Sequence, residues 1–500
     1  MSLGWRRKVR LFFAPTPTGR TLVQIAVPHR HSSFFMKCLL ILPLSFISLF
    51  LILSLSFISL FLARVMSHKQ ITVQWTSTQQ TIDGFGAEAA SDISIPPSRM
   101  DFFYTDAGIH LTFLRVEIIP DAADCESLYG TGHCVPSANA TVLRTALANA
   151  QAATSRGALV WGTEGSPPGY MKSNGRWGTG GSFLGGAANF AKYAAIQTSF
   201  VSLMASNGVP VYAVSVQNEP DVSEDYPTCT WTAQQIHDYI PYLSATLSSA
   251  GYGSVKIMID EESTWTNTLS EAVMHDAAVA SQIGILAEHA YGGKASRLTW
   301  NNITTQHVWQ TEVSDLTSYD GSIASGLKYA AQIHNWLTTA MVNSWHYFDI
   351  THSGDTNDNE ALTDTSFNIA KRAYTIGQFA KFARAGWTRV DVTNSTGLLV
   401  SAYKGPNGAS IVVVNNGSAV NSQTFSVGTI MGSSVRPWIT SSTQNLAPQT
   451  PVIVSSGAFT YTIPAKSVVT FSTPLTPTVS AGWHCPSAVE PNLASAALVR

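Results

Sequence analysis

The chain has 500 residues, room for a barrel of about 250 residues with an accessory domain and tails. Its net charge is −2 and only 12% of its residues are charged, against a usual share of about 25%. Such a chain has no basic footprint for nucleic acid, and its surface of Ser, Thr, Asn, Gln and Gly suits an uncharged polymer or a small neutral ligand.

Residues 1–35 form a basic extension carrying Arg6, Arg7, Lys8, Arg10 and Arg20. Residues 38–63 then read CLLILPLSFISLFLILSLSFISLFLA, the length of a bilayer-spanning helix and longer than the usual core of a signal peptide. Lys37 precedes this run, and Arg64, His68 and Lys69 follow it. Positive charge in front keeps that end cytoplasmic and sends the remainder across. Residues 36–66 are therefore expected to be a signal peptide or membrane anchor, with Met36 a candidate start. The expected location is secreted or extracytoplasmic, with membrane contact confined to 38–63. Cys125 and Cys134 are close enough for a small loop disulfide in an oxidising compartment, with free buried thiols the alternative reading. No Cys or His spacing suits zinc.

Residues 70–82 alternate like the first strand of a β side domain and lead into a glycine turn at Gly84 and Gly86. From 83 to 387, apolar strand-like runs alternate with helical patterns. The strands are expected near 84–86 and at 111–118, 158–162, 211–217, 256–260, 283–291, 307–312 and 342–348. Helical periodicity fills 189–207, 233–250 and 322–339. Eight such units predict an α/β fold, a closed (β/α)8 TIM barrel. Residues 388–473 change texture to short strands between turn residues, predicting an antiparallel β-sandwich, and 474–500 read as a loose tail.

Two glutamates end strand-like runs: Glu219 in Val-Gln-Asn-Glu-Pro and Glu312 in Val-Trp-Gln-Thr-Glu. Hydrolysis of a glycosidic bond needs one carboxyl group to protonate the leaving oxygen and another to attack or to activate water. A barrel gathers its strand ends at one face, so two distant glutamates can meet there. Arg115 is a candidate ionic partner for Glu312, with an ion pair to Glu117 or Asp121 as the alternative. Tyr291 is placed to donate to Glu312, and His289 reads equally as a sugar contact or a core histidine. Trp345 offers an apolar face to a pyranose ring or to the core. Asp260, Glu261 and Glu262 are rival acids, expected behind the catalytic pair because three adjacent carboxylates repel one another.

Ser-Val-Gln-Asn-Glu-Pro-Asp at 215–221, Trp-Gln-Thr-Glu at 309–312, Ser-Pro-Pro-Gly-Tyr-Met-Lys at 166–172 and the run at 371–382 together resemble glycoside hydrolase family 30. In the C-terminal part, Ser-Ala-Tyr-Lys-Gly at 401–405 and Trp-Ile-Thr-Ser-Ser at 438–442 resemble the side domain of its xylanase branch. The resemblance implies a retaining hydrolase with Glu219 as acid/base and Glu312 as nucleophile, and Asn218 contacting the sugar 2-hydroxyl. It implies no metal or organic cofactor. The Glu219 carboxyl is expected to sit above its ordinary pKa.

The chain departs from the glucuronoxylan-cleaving members in two places. Gly165 stands where they carry a Trp before Ser-Pro-Pro. After strand eight they bear an Arg that binds a glucuronate branch, whereas 345–360 here reads WHYFDITHSGDTNDNE, with acids and no such cation. Arg372, further on, is expected at the surface. The expected activity is endo-cleavage of β-1,4-xylan without dependence on glucuronate, by a monomer acting on a polysaccharide or oligosaccharide. A β-1,6-galactanase or glucosylceramidase is the alternative, and a non-catalytic carbohydrate-binding protein is the alternative of another class.

Overall fold

The computed structural model describes residues 11–15, 21–25, 70–89, 93–118, 139–298, 300, 305–351 and 358–473. The apolar run 38–63, Cys125, Cys134, Asp121 and the tail 474–500 lie outside the described residues. Two units divide the chain, Met1–Lys69 and Gln70–Arg500. The first contributes a hairpin, β1 (Leu11–Pro15) against β2 (Thr21–Ile25), with Leu11 opposite Ile25. Among the described residues no helix is long and apolar enough to cross a membrane.

The second unit opens with β3 (Gln70–Thr81) and then builds a closed parallel barrel. Its strands are β4 (Gly84–Glu88), β5 (Phe113–Ile118), β6 (Leu159–Glu164), β7 (Val211–Ser215), β8 (Lys256–Glu262), β9 (Ile285–His289), β10 (His307–Glu312) and β11 (Ser344–Tyr347). Pairing of β11 with β4 closes the ring. The longer helices on its flanks are α1 (Pro97–Tyr104), α2 (Asn139–Thr154), α3 (Ala187–Ser206), α4 (Ala233–Ser249), α5 (Ile323–Asn335) and α6 (Lys371–Ala380). Helix α4 starts at a reciprocal cap, where Thr232 accepts from the Gln235 backbone and the Gln235 side chain accepts from the Thr232 backbone.

Strands buried on both faces need apolar residues on both, and successive side chains alternate between interior and helix layer. The interior floor is Phe113, Trp161, Ala213, Met258, Ile285, Ala287 and Trp309. His346 joins it, stacked on Trp309 with ring centres 5.3 Å apart. Burial drives His346 down to about 3, so it is neutral. Trp161 Nε1 donates to its Nε2 at 3.3 Å, which leaves the imidazole proton on Nδ1, 3.2 Å from the Gln310 carbonyl. Gly86 is required beside it, since a Cβ there would lie 2.2 Å from the His346 ring.

Strands β12 (Thr388–Asn394), β13 (Leu399–Gly405), β14 (Gly408–Asn415), β15 (Asn421–Ser426), β16 (Ser434–Thr440), β17 (Ala447–Pro448), β18 (Val452–Ile453), β19 (Ala458–Ile463) and β20 (Ser467–Ser472) join β3 in one ten-stranded sheet. It curls around a core where Phe425 stacks on Phe459 at 4.8 Å and Phe471 packs at 4.9 Å from both. Ile71, Val73 and Trp75 of β3 alternate into this core. Strand β3 pairs antiparallel with β12 and parallel with β15, so the chain begins in the side domain, makes the barrel and returns. Two hydrogen bonds from Gln378 and Thr470 tie α6 to the sheet: Gln378 Nε2 donates to Thr440 Oγ1 and Thr470 Oγ1 to the Gln378 carbonyl, both at 2.9 Å.

Candidate active site

Both glutamates lie at the C-terminal face of the barrel, reached from the fourth and seventh strands. Glu312 is the last residue of β10. Glu219 sits beyond the end of β7, in a turn where its own φ is +45°. The backbone N–H groups of Asn218 and Glu219 donate to the Glu164 and Glu261 carbonyls at 2.8 and 3.1 Å, fixing that turn to the ends of the neighbouring strands. A non-glycine residue in this region costs of order 1–3 kcal/mol and persists where its surroundings determine it.

One carboxylate oxygen of Glu219 and one of Glu312 lie within 4.8 Å of each other. Both side chains are nearly buried, at 7% and 6% residue exposure, so their charges must be met by protein groups. Arg115, on β5, meets most of them. Its Nη1 donates to Glu312 Oε2 and Glu88 Oε2, and its Nη2 to Asn218 Oδ1 at 2.5 Å. Tyr291 Oη donates to the other oxygen of Glu312 at 2.8 Å, so both oxygens of that carboxylate hold donors suited to its charged form.

Around Glu219 the donors are His289 Nδ1, 3.1 Å from Oε1, and Tyr226 Oη, 2.9 Å from Oε2. Burial works against the imidazolium, but Glu312, Glu219 and Glu261 outweigh it and raise His289 to about 10. Burial likewise works against the Glu219 carboxylate, yet the two hydrogen bonds and the His289 charge hold its pKa below the ordinary value. This is the opposite direction to the raised carboxyl expected from sequence, and its cause is the imidazolium and the tyrosine hydroxyl beside the carboxylate. His289 is fully buried and touches the acid, so it is not a sugar contact.

The three consecutive acids separate at a bulge in β8. Asp260 and Glu261 have φ of +74° and +55°, and the pairing register with β9 shifts between Asp260 and Glu262. Only Glu261 turns inward, 3.6 Å from Arg115 Nη2 and 3.6 Å from His289 Nε2, and it accepts from Thr163 Oγ1 at 2.7 Å. Burial opposes its charge, but Arg115 and His289 bring it to about 2. Glu88 goes the other way, pushed by burial to about 8 despite the Arg115 guanidinium beside it.

Two expected residues lie elsewhere. Trp345 is wholly buried in the core shared with the helices, because alternation along β11 gives the interior to His346 and turns Trp345 outward, so it shows no face to a sugar. Arg372 is also wholly buried instead of exposed. It donates to the Ala361 and Asp320 carbonyls, at 2.8 and 3.0 Å, and to Asn359 Oδ1 at 2.8 Å, pinning the loops that follow β10 and β11. Tyr226 and Glu88 were not singled out from sequence; a tyrosine seven residues beyond the acid in a turn-rich loop was the only available sign of the first. Cys229 is a buried free thiol, raised to about 12 by burial and so not poised to react.

Two carboxylates held this close at the mouth of a parallel barrel, one beside an imidazolium and one ringed by donors, define a glycoside hydrolase. The family 30 TIM-barrel model of the glycosyl hydrolases matches residues 141–345, and the family 30 β-sandwich model matches 386–471. A glucuronoxylanase XynC of Bacillus subtilis strain 168 is 28% identical over 424 residues, covering 81% of this chain and 92% of that one. The solved subfamily 8 xylanase Xyn30A of Clostridium acetobutylicum superposes with a TM-score of 0.70 at 33% identity, over 81% of this chain and 99% of its own. A Trichoderma harzianum endo-1,6-β-D-glucanase is 23% identical over 381 residues, 68% of this chain and 76% of its own. The chain belongs to glycoside hydrolase family 30.

Proposed function

We propose that the protein is an exported, retaining endo-hydrolase of β-1,4-xylan whose action does not depend on glucuronate branches. The observation that carries the mechanism is the approach of Glu219 and Glu312 oxygens to within 4.8 Å. Retaining enzymes hold their carboxyl groups about 5–5.5 Å apart, whereas inverting enzymes leave about 6.5–9.5 Å for a water. Glu312 attacks the anomeric carbon while Glu219, supplied with the proton from His289, protonates the departing oxygen. In the second step Glu219 takes a proton from water, which displaces Glu312 from the sugar.

The xylan reading rests on the xylanase relatives, and the branch reading on charge. Between Trp345 and Lys371 the sequence has no Lys or Arg, and Arg372 is spent on carbonyls and Asn359. Nor does a Trp fit at position 165 without movement, since a Cβ on Gly165 would lie 2.8 Å from Glu117 Oε1. Export is supported by the charged and apolar pattern of residues 1–69. Product profiles on linear xylan, glucuronoxylan, β-1,6-galactan and glucosylceramide, with the anomer followed by NMR, test this. Retained configuration and rates on the two xylans within about threefold are expected. Strict dependence on glucuronate overturns the branch reading, and cleavage of the β-1,6-galactan alone overturns xylan.

A further inference from the structure

Behind the active site, on the helix-facing side of β8 and β9, lie three carboxylates that the reaction does not use. Alternation along β9 turns Glu288 outward beside the inward His289, and in β8 the bulge at Asp260 and Glu261 breaks the alternation and brings Asp260 and Glu262 to that same side. Glu262 and Glu288 are register partners across the two strands. One oxygen from each of the three lies within 4.8 Å of the others.

Their surroundings are unequal. Glu262 is oriented by donors: the Thr268 backbone and hydroxyl, the Leu269 backbone at 3.3 Å and Thr266 Oγ1 at 3.3 Å. Asp260 is 2% exposed and Glu288 0%, yet none of their four oxygens has a hydrogen-bond partner of normal geometry. Among the described residues no Lys, Arg or His forms an ion pair with any of the three. Burying an unmatched carboxylate is costly, and two of them beside a third are relieved either by protonation or by a bound cation.

We propose that Asp260, Glu262 and Glu288 form a calcium site that holds the β8 bulge in shape. The donors are all hard oxygens, which excludes a preference for zinc or copper. Calcium takes oxygens at about 2.3–2.6 Å, so ligands across the ion stand up to about 5 Å apart, a span that includes this cluster as it stands. Magnesium, at about 2.0–2.1 Å, requires the three to draw closer and dehydrates reluctantly. Glu262, already fixed by its own hydrogen bonds, is the pre-oriented ligand. The site has a route to catalysis. Its bulge aims Glu261 at Arg115 and His289, and Ser263, the residue after Glu262, donates through its backbone and hydroxyl to Asp221 at 2.8 and 2.6 Å, two residues from Glu219. The ion is a positioning element and touches no substrate.

The test is equilibrium dialysis of the EDTA-stripped full-length chain against calcium chloride, with thermal unfolding and kinetics on the same samples. The stripped wild type is expected to regain one calcium lost by Glu288→Gln, and to gain roughly 3–5 °C in Tm at calcium a hundredfold above Kd. Stripping is expected to lower kcat more than it raises KM, with calcium restoring it. A wild type that takes up no calcium overturns the proposal without any variant, even if Glu288→Gln fails to fold. Equal uptake by wild type, Glu288→Gln and Asp260→Asn also overturns it. So does an unchanged or higher Tm of both amide variants in EDTA combined with no calcium response of the wild type, which would mean that the two acids are simply held protonated.

Discussion

The two faces of the β8–β9 pair carry similar carboxylates under opposite regimes. On the inner face Glu261 meets Arg115 and His289, and the same two cations serve Glu312 and Glu219. On the outer face, one residue away along each strand, Asp260 and Glu288 have no hydrogen bond of normal geometry and no cationic partner among the described residues, only the looser approach of Ser270 and the Thr266 backbone. The difference teaches that burial alone does not set the state of an acid. Inside, supplied cations make charge affordable, and burial then sharpens the electrostatics available to a transition state. Outside, the same burial leaves only neutralisation or a bound ion. Three successive residues serve both faces because two of them adopt positive φ, a local strain accepted where chemistry needs it.

The inner face invites the harshest test. If its carboxylates are matched for reactivity, removing Glu312 should destroy turnover while relieving repulsion with Glu261 and Glu219. Glu312→Ala is expected to lose on the order of 10⁵-fold in kcat with an unchanged or higher Tm. Azide should restore turnover with product of inverted anomeric configuration. Near-normal activity in that variant would sink the nucleophile assignment.

Weakening the cations should make the inner face behave like the outer one. Arg115→Lys keeps a charge but cannot span Glu88, Glu312 and Asn218 at once, since an ammonium lacks the planar fork. A loss of about 10²-fold in kcat/KM and a lower Tm are expected. If lysine restores both fully, the geometry of the fork is irrelevant and only its charge matters.

Much of this arrangement was legible in sequence, and the remainder was hidden for identifiable reasons. The barrel strands show because parallel strands buried on both faces read as apolar runs. Strand β12, Thr-Arg-Val-Asp-Val-Thr-Asn, carries too few apolar residues to be picked out. In Ser-Trp-His-Tyr of β11 every position is buried, so no alternation tells which of Trp345 and His346 faces inward. Repulsion argued that Asp260, Glu261 and Glu262 do not converge, but which one turns inward depends on the bulge. Arg372 stands beside an ordinary helix start, and the carbonyls that bury it come from loops some 11 and 52 positions away.

The gentlest test concerns the hydroxyl of Tyr226, a residue 45% exposed whose oxygen touches Glu219. Its hydrogen bond stabilises the carboxylate form, one of the effects that hold Glu219 below its ordinary pKa. Tyr226→Phe removes a donor to the charged form only, so the Glu219 pKa must rise. The Glu219 carboxyl titration, followed by NMR, should therefore move to higher pH, while the alkaline limb of the kcat/KM profile, set by His289, stays in place. The loss at the optimum should stay below about tenfold, because His289 still supplies the proton, and substrates with poor leaving groups should show that loss most clearly. A Glu219 titration that stays put, or moves down, would separate Tyr226 from the acid and leave His289 as the one neighbour governing its proton.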